Sequence, residues 1–381
     1  MHDLTKSQKE IQKAARDFAK GEFDKTLAQD LDRSQTFPQA IWQRAAELGF
    51  IGIQFPEAFG GGGLGLMEAA LLAETLCQAD SSLGTAVLDA AAGGVCLARF
   101  GGQAQKEARL PPLLEGRQRA AAAFQEAGAS LRALPRTTAA VHGQGWRLDG
   151  AKAYVSGALE ADFFLVLARD AGEKGSAETA SMFVVEPAMA GISLESEGRR
   201  LGGNLSPSAT LHLDGVRLGP EALVGRPGRG LAQLEAFLVE QHILQAAQAL
   251  GMAQGALDRA VAYAKQRVQF SRKIAVFPVT RHKIAAMALG LEEARSLVYA
   301  AARAFDRGKA DARMAAAAKL SATAAAIQAA DDAIQIHGGY GYMREYDVER
   351  FYRDAKALSL AHGTPEDLRE IIGAAVIGRV K

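Results

Sequence analysis

The chain has 381 residues, enough for two or three domains with a sizeable core, and its 44 Lys+Arg against 43 Asp+Glu offer no broad basic face for nucleic acid or anionic membrane. Two cysteines, Cys77 and Cys96, cannot supply a disulfide framework or a four-ligand zinc site. The polar opening residues lack a basic-then-apolar signal segment and no run approaches the roughly 18 apolar residues of a membrane span, so a cytoplasmic protein with no metal, membrane or nucleic acid is expected.

Lys6 to Phe23 carries Ile11, Ala14, Ala15 and Phe18 at helical spacing. Helices are also predicted for Pro38 to Leu48, Leu66 to Cys77 and Gly84 to Phe100. From about Arg119 the pattern changes to short strand-like runs: Trp146 to Leu148, Ala153 to Val155, Phe163 to Ala168, Met182 to Val185 and Ala209 to Leu213. Asp149-Gly150, Ala171-Gly172 and Asp214-Gly215 read as turns between them. From Gly230 onward the chain is long, Ala-rich helix, with breaks at 271–278, Gly308 and 338–341. These runs predict an α+β multidomain fold: an N-terminal helical domain (1–118), a middle antiparallel β-barrel-like domain (119–226) and a C-terminal helical bundle (227–381). The order differs from the strand–helix alternation of a parallel nucleotide-binding sheet.

Glycine, at 40 residues, exceeds its average usage of about 7 %, so its placement needs explaining. Gly60, Gly62 and Gly65 satisfy G-x-G-x-x-G, yet Pro56-Glu57-Ala58-Phe59 separates them from the apolar run before them. A dinucleotide fingerprint needs a tight strand-to-helix turn inside a parallel sheet; a plain interhelical turn is expected instead. His337-Gly338-Gly339-Tyr340-Gly341-Tyr342 either ends a helix or brings backbone amides to a phosphate or adenine. Arg267 to Lys273 is either a solvated helix end or a phosphate-facing arginine with a flanking aromatic.

Together these segments resemble the acyl-CoA dehydrogenase family of flavoproteins over nearly the whole chain. Leu48-Gly49-Phe50, Pro56-Glu57 and Phe59-Gly60-Gly61 match its "LG…PEeyGG" stretch, and Leu148 to Ser156 its "lnG-K-WIT" strand. Tyr263 to Ser271 is similar to "YaxxRxQFG", Gln335 to Tyr342 to "QixGGxGy", and Tyr352 to Lys356 to "yRDAK". The resemblance implies a C-terminal four-helix bundle, an acyl-CoA substrate, FAD between the β-domain and the bundle, a homotetramer, and electron-transferring flavoprotein as acceptor. It further implies that Arg267 and Phe270 hold the FAD diphosphate region across a subunit interface, with Gln335, Gly338 and Gly339 at the adenine. Tyr154, at a family Trp position, would pack on the isoalloxazine; Ser156 would hydrogen-bond near flavin N5; Gly363-Thr364 would meet the diphosphate. The "TEPxxGSD" loop is represented by Gln125 to Ser130, one residue short, with Gln125 and Ser130 its candidate contacts.

The family reaction removes the substrate α-proton with a glutamate while a hydride leaves for the flavin, and hydrogen bonds stabilise charge on the thioester oxygen. The usual "YEGT" glutamate is His362 here. The alternative position on the first bundle helix is Gln241, which cannot take a proton at neutral pH. Glu240 is adjacent but rotated about 100° along the helix. Three explanations stand. His362 can be the base, having an ordinary pKa near 6.5. Asp89, on the apolar 81–94 helix that forms the acyl-pocket wall in the family, can take a proton further along the acyl group, as in 1,4-elimination from a cyclic α,β-unsaturated acyl-CoA such as cyclohex-1-ene-1-carboxyl-CoA; an exposed helix face is its bland alternative. Third, the chain can be a non-catalytic subunit of a heteromer, or catalyse redox-neutral chemistry such as desulfination. Residues 81–92 lack the arginine of sulfite-releasing relatives.

Overall fold

The computed structural model describes residues 4–171 and 179–378, so Gly172 of one expected turn lies outside the described residues. Seven helices come first: α1 (Lys6–Glu22), α2 (Lys25–Ser34), α3 (Gln39–Glu47), α4 (Leu66–Ala79), α5 (Ser81–Asp89), α6 (Ala92–Phe100) and α7 (Gln103–Leu114). α1 begins where Thr5 and Gln8 form a reciprocal capping box. The segment expected as one helix from Gly84 to Phe100 is two. The break at Ala90–Ala91 frees the Ala90 carbonyl, which accepts from Ala120 N at 3.1 Å and docks the first strand. Together α5 and α6 form a 20-residue apolar stretch, 67% of whose most apolar window is buried inside the protein.

The middle domain is one seven-stranded curled sheet: β1 (Ala120–Ala123), β2 (Thr138–His142), β3 (Gly145–Ser156), β4 (Phe163–Asp170), β5 (Ala180–Val185), β6 (Ile192–Ser196) and β7 (Ser208–Leu218). It is mixed rather than purely antiparallel, because β4 runs parallel to both β1 and β2 after long intervening segments. Asp149-Gly150 and Asp214-Gly215 are not turns. They lie inside β3 and β7, where the ladder shifts register between Leu148 and Gly150 and Asp149 Oδ1 accepts from Gly215 N at 2.9 Å. β4 faces two cores alternately: Phe163, Leu165 and Leu167 pack with the helices, while Phe164, Val166 and Ala168 fill the sheet's own interior.

The C-terminal part holds α8 (Gly230–Gln266), the hairpin strands β8 (Val268–Gln269) and β9 (Arg272–Lys273), α9 (Pro278–Asp306), α10 (Ala312–His337), α11 (Val348–Leu360) and α12 (Pro365–Ile377). α8 to α11 form the bundle around α10; α4 packs along α8 and joins the N-terminal helices to it.

Gly60 supplies a left-handed turn at φ +90° with nothing packed against it, whereas Gly62 and Gly65 serve packing. A Cβ on Gly62 would meet Ile53 O at 2.9 Å, and one on Gly65 would meet the Asp306 carboxylate at 2.8 Å. That carboxylate caps α4 through Leu66 N (2.6 Å) and Met67 N (3.1 Å), so this helix start carries its own anion.

Candidate active site

Asp89 is the last residue of α5, and the start of that helix is clamped by two carboxylates. Asp80 accepts from Ser82 N (3.0 Å) and Leu83 N (2.9 Å). Asp354 accepts from Ser81 Oγ (2.7 Å), from Ser82 Oγ, and from Gly203 N (2.9 Å). Arg350, itself buried, binds both oxygens of Asp80 at 2.7 Å. The "yRDAK" stretch on α11 is thus a structural clasp: Asp354 holds α5, and Arg353 pairs with Asp32 and Glu349.

At the other end of α5, Asp89 lines two neighbouring cavities. One runs between the N-terminal helices and α8 and is also lined by Gln54, Gln241 and Gln248. The other reaches the β-domain at Ser156 and Ser206. Gln248 Nε2 donates to Asp89 Oδ1 at 2.9 Å. Burial pushes the Asp89 carboxyl up to about 6, against that hydrogen bond and the charge of Arg200; its place at a helix C-terminus works in the same direction as burial.

His362 lies on the other side of the same stripe of α8. Its Nδ1 is 2.7 Å from Gln245 Nε2, its ring meets Phe237 edge-on, and its backbone is left-handed at φ +52°. Its carbonyl lies 2.7 Å from His242 Nε2, while the flanking carbonyls of Ala361 and Gly363 accept from the buried Lys319 Nζ. Burial and the Lys319 charge hold His362 down to about 3, and burial brings Lys319 down to about 7. Glu240 is turned away toward α6, where it accepts from Arg99 Nε at 2.5 Å.

Two sequence-derived groups are each brought together by the fold. Tyr154 (62% exposed) and Ser156 share the open face of β3, with Val155 turned inward. Arg200, which sequence reasoning missed, places Nη1 3.4 Å from Ser156 Oγ and ties its own loop through Gly203 O and Ser206 O at 2.6 Å. Ser130 and Thr364 converge on Asp367: Ser130 Oγ donates to Oδ1 at 2.9 Å and Thr364 Oγ1 to Oδ2 at 3.0 Å. Thr364 also caps α12, its Oγ1 accepting from Asp367 N at 3.2 Å. Gln125 spends its amide on the carbonyls of Glu126 and Ala129 within its own loop. The fully buried Lys152 anchors that loop through Glu126 Oε1 at 2.8 Å.

On the outer surface, Phe270 stands at the tip of the β8–β9 hairpin, 88% exposed at φ +50°. Arg267 lies 5.8 Å from the Tyr340 ring, so the basic cluster and the glycine turn adjoin. Gln335, Gly338 and Gly339 are exposed, and a Cβ on either glycine would meet nothing within 4 Å. Gly341 differs: its Cβ would strike Ile334 O at 2.4 Å, making it a packing glycine.

Models of the acyl-CoA dehydrogenase N-terminal, middle and C-terminal domains match residues 5–117, 121–216 and 228–377. The chain belongs to the acyl-CoA dehydrogenase family. It is 34% identical to the 3-(aryl)acrylate reductase of Clostridium sporogenes, over 97% of this chain and 98% of that one. Among solved structures it resembles butyryl-CoA dehydrogenase from Megasphaera elsdenii (TM-score 0.91, 31% identity, covering 99% of this chain and 100% of that one). It also resembles a chain solved in work on the electron transferring flavoprotein of Acidaminococcus fermentans (TM-score 0.93, 33% identity, all of both chains).

As an acyl-CoA dehydrogenase family member, the protein is an FAD-dependent oxidoreductase of acyl-CoA thioesters. The residues present fit the cofactor. An aromatic ring and a hydroxyl stand two residues apart on the open face of β3, beside a cavity. The Gly338-Gly339 backbone faces open space rather than packed protein. Arg200, Gln245 and Gln248 carried no motif in the sequence. The i, i+3 spacing of Gln245 and Gln248, with Gln241 one turn earlier, was the signal that could have found the glutamines.

Proposed function

We propose that this acyl-CoA dehydrogenase uses Asp89 as its base and acts on a cyclic or already unsaturated acyl group. The observation that carries the reading is a carboxyl held at about 6 that, among the described residues, is the one acid lining the cavity it shares with Gln241 and Gln248, on a chain whose two ordinary base positions are Gln241 and His362. A buried carboxylate becomes neutral when it accepts a proton, whereas a buried imidazole becomes charged. Low-dielectric surroundings therefore favour Asp89 over His362. The neighbouring Lys319 charge widens the difference.

Bound FAD supplies a two-electron acceptor. In this reading Asp89 serves a carbon further along the acyl group than the α-carbon served by the family's glutamates. An existing α,β double bond would resolve the mismatch: Asp89 would take a proton from one of the two carbons flanking that bond, the other would lose the hydride for which FAD is the two-electron acceptor, and a conjugated diene would result. Conjugation with the thioester acidifies the distant proton. Gln248 orients the carboxylate. The backbone around His362, with its carbonyls occupied by His242 and Lys319, keeps the 361–363 turn rigid beside the thioester. Tyr154 and Ser156 would hold the isoalloxazine; Arg267, Phe270, Gln335, Gly338 and Gly339 would serve the adenosine-diphosphate end across a subunit boundary. Ser130 and Thr364 act through Asp367 at the edge of the diphosphate, and Gln125 shapes the loop there.

A homotetramer accounts for a phenylalanine 88% exposed and Tyr342 at 86% on that surface. Electron-transferring flavoprotein is the acceptor most consistent with the structural relative solved in that context. The test is anaerobic flavin bleaching with a panel of linear and cyclic acyl-CoAs, in wild type and Asp89→Asn. Bleaching with a cyclic enoyl-CoA that the variant loses while retaining FAD supports the reading. Unchanged turnover in the variant removes it, and stable FAD binding with no bleaching by any thioester would favour a partner-subunit role.

A further inference from the structure

We infer that the acyl group carries a hydroxyl on the part that enters the Asp89 cavity. The walls include Phe55, Leu72 and Leu244, as expected of an acyl site, but the lining also carries amides. Gln54 and Gln248 both line it, and the amide oxygen of each is buried without a hydrogen-bond donor among the described residues. The orientation of Gln248 is not arbitrary: an ionised carboxylate only accepts, so Gln248 must turn its NH₂ to Asp89 and leave its oxygen unpaired. Gln241 adds a third amide to the same lining.

Buried carbonyl oxygens without donors are uncommon because each forfeits its hydration. Hydrocarbon acyl chains and unsubstituted rings would leave these acceptors unpaired when they displace water. A hydroxyl supplies a hydrogen to one of these two oxygens, and its own oxygen can take an NH from Gln241. A cavity with apolar walls and a few placed amides is a design for a ring or chain with one polar substituent. Sites built to bond a substrate hydroxyl discriminate strongly against analogues lacking it.

The inference rests on the placement of the acyl group beside Asp89 proposed above, and its test separates the two. Stopped-flow bleaching of the wild-type holoenzyme is compared for cyclohex-1-ene-1-carboxyl-CoA and a set of analogues hydroxylated at the non-reacting ring carbons. At least one hydroxylated analogue should show kcat/KM at least about tenfold higher, and Gln54→Leu should bring that ratio close to one. The inference is overturned if the unsubstituted ring reacts as well as every hydroxylated analogue, which would mean that water alone serves the amides. It is equally overturned if the preference survives in both Gln54→Leu and Gln248→Met. Retained turnover in Asp89→Asn would instead remove the base assignment, while the hydroxyl ratio measured on wild type would stand.

Discussion

Gln248 donates to Asp89 at 2.9 Å, and three residues earlier on the same helix Gln245 lies 2.7 Å from His362. One face of α8 therefore holds both rival base candidates, and burial drives them apart, Asp89 up to about 6 and His362 down to about 3. At neutral pH one is an anion able to take a proton; the other is a neutral ring that resists one.

The pH profile of kcat/KM separates them. With Asp89 as base, the rate rises with pH through a midpoint near 6 and then levels, because the carboxylate must be ionised. With His362 as base, the rate would already be level down to about 3. Initial rates with a reactive acyl-CoA between pH 4.5 and 8.5 decide it, provided FAD loading is monitored throughout.

Stability should move opposite to activity in Asp89→Asn. The folded carboxyl sits at about 6 against an ordinary 3.8, so the folded state holds its proton more tightly. The cost of ionising it is absent below 3.8, grows as pH rises, and is complete above 6. The difference amounts to roughly 3 kcal/mol at most. At pH 8 the variant is expected to be more stable than wild type in urea titrations, with the gain disappearing near pH 4, while flavin reduction falls by about 10²- to 10⁴-fold.

Gln241→Glu restores a carboxylate at the second lineage's base position, in the cavity that Asp89 lines. The expected outcome is new flavin bleaching by saturated straight-chain acyl-CoAs. Like charges sharing a site also raise each other's pKa. The acid limb for the cyclic substrate should therefore move above 6, which a pH–rate series would detect.

Arg350→Met tests the clasp that aims α5. Arg350 is 1% exposed and binds Asp80 through two parallel hydrogen bonds. Removing one partner of a buried pair leaves an uncompensated charge, a loss of about 3–5 kcal/mol. Thermal unfolding of the holoenzyme should report it. At a temperature where the variant is folded, turnover should fall as well, since Asp89 hangs from the far end of that helix.

Much of the architecture was legible in the sequence. Helical periodicity placed α1, α3 and α4 to within about two residues. The shift to short apolar runs marked the sheet, and the breaks in the Ala-rich region fell where α8, α9 and α10 end. Local signals failed where tertiary contacts overrode them. Asp149-Gly150 and Asp214-Gly215 have the composition of turns, but facing each other across β3 and β7 they became irregularities inside long strands. The 84–100 segment has uninterrupted helical character, yet the helix breaks directly after Asp89, where the Ala90 carbonyl pairs with β1.

The sequence by itself established the family motifs, the excess of glycine and the absence of glutamate at both ordinary base positions, because residue identity at a motif position is a local fact. It could divide the glycines only into alternatives. The fold decided between them, since whether a Cβ would strike a neighbour depends on chain segments far away: Gly62 and Gly65 pack, Gly338 and Gly339 face open space. The fold likewise set Asp89 and His362 apart electrostatically. A pKa depends on what surrounds the group, and the Gln248 bond and the Lys319 charge both come from residues more than 40 positions away in the chain.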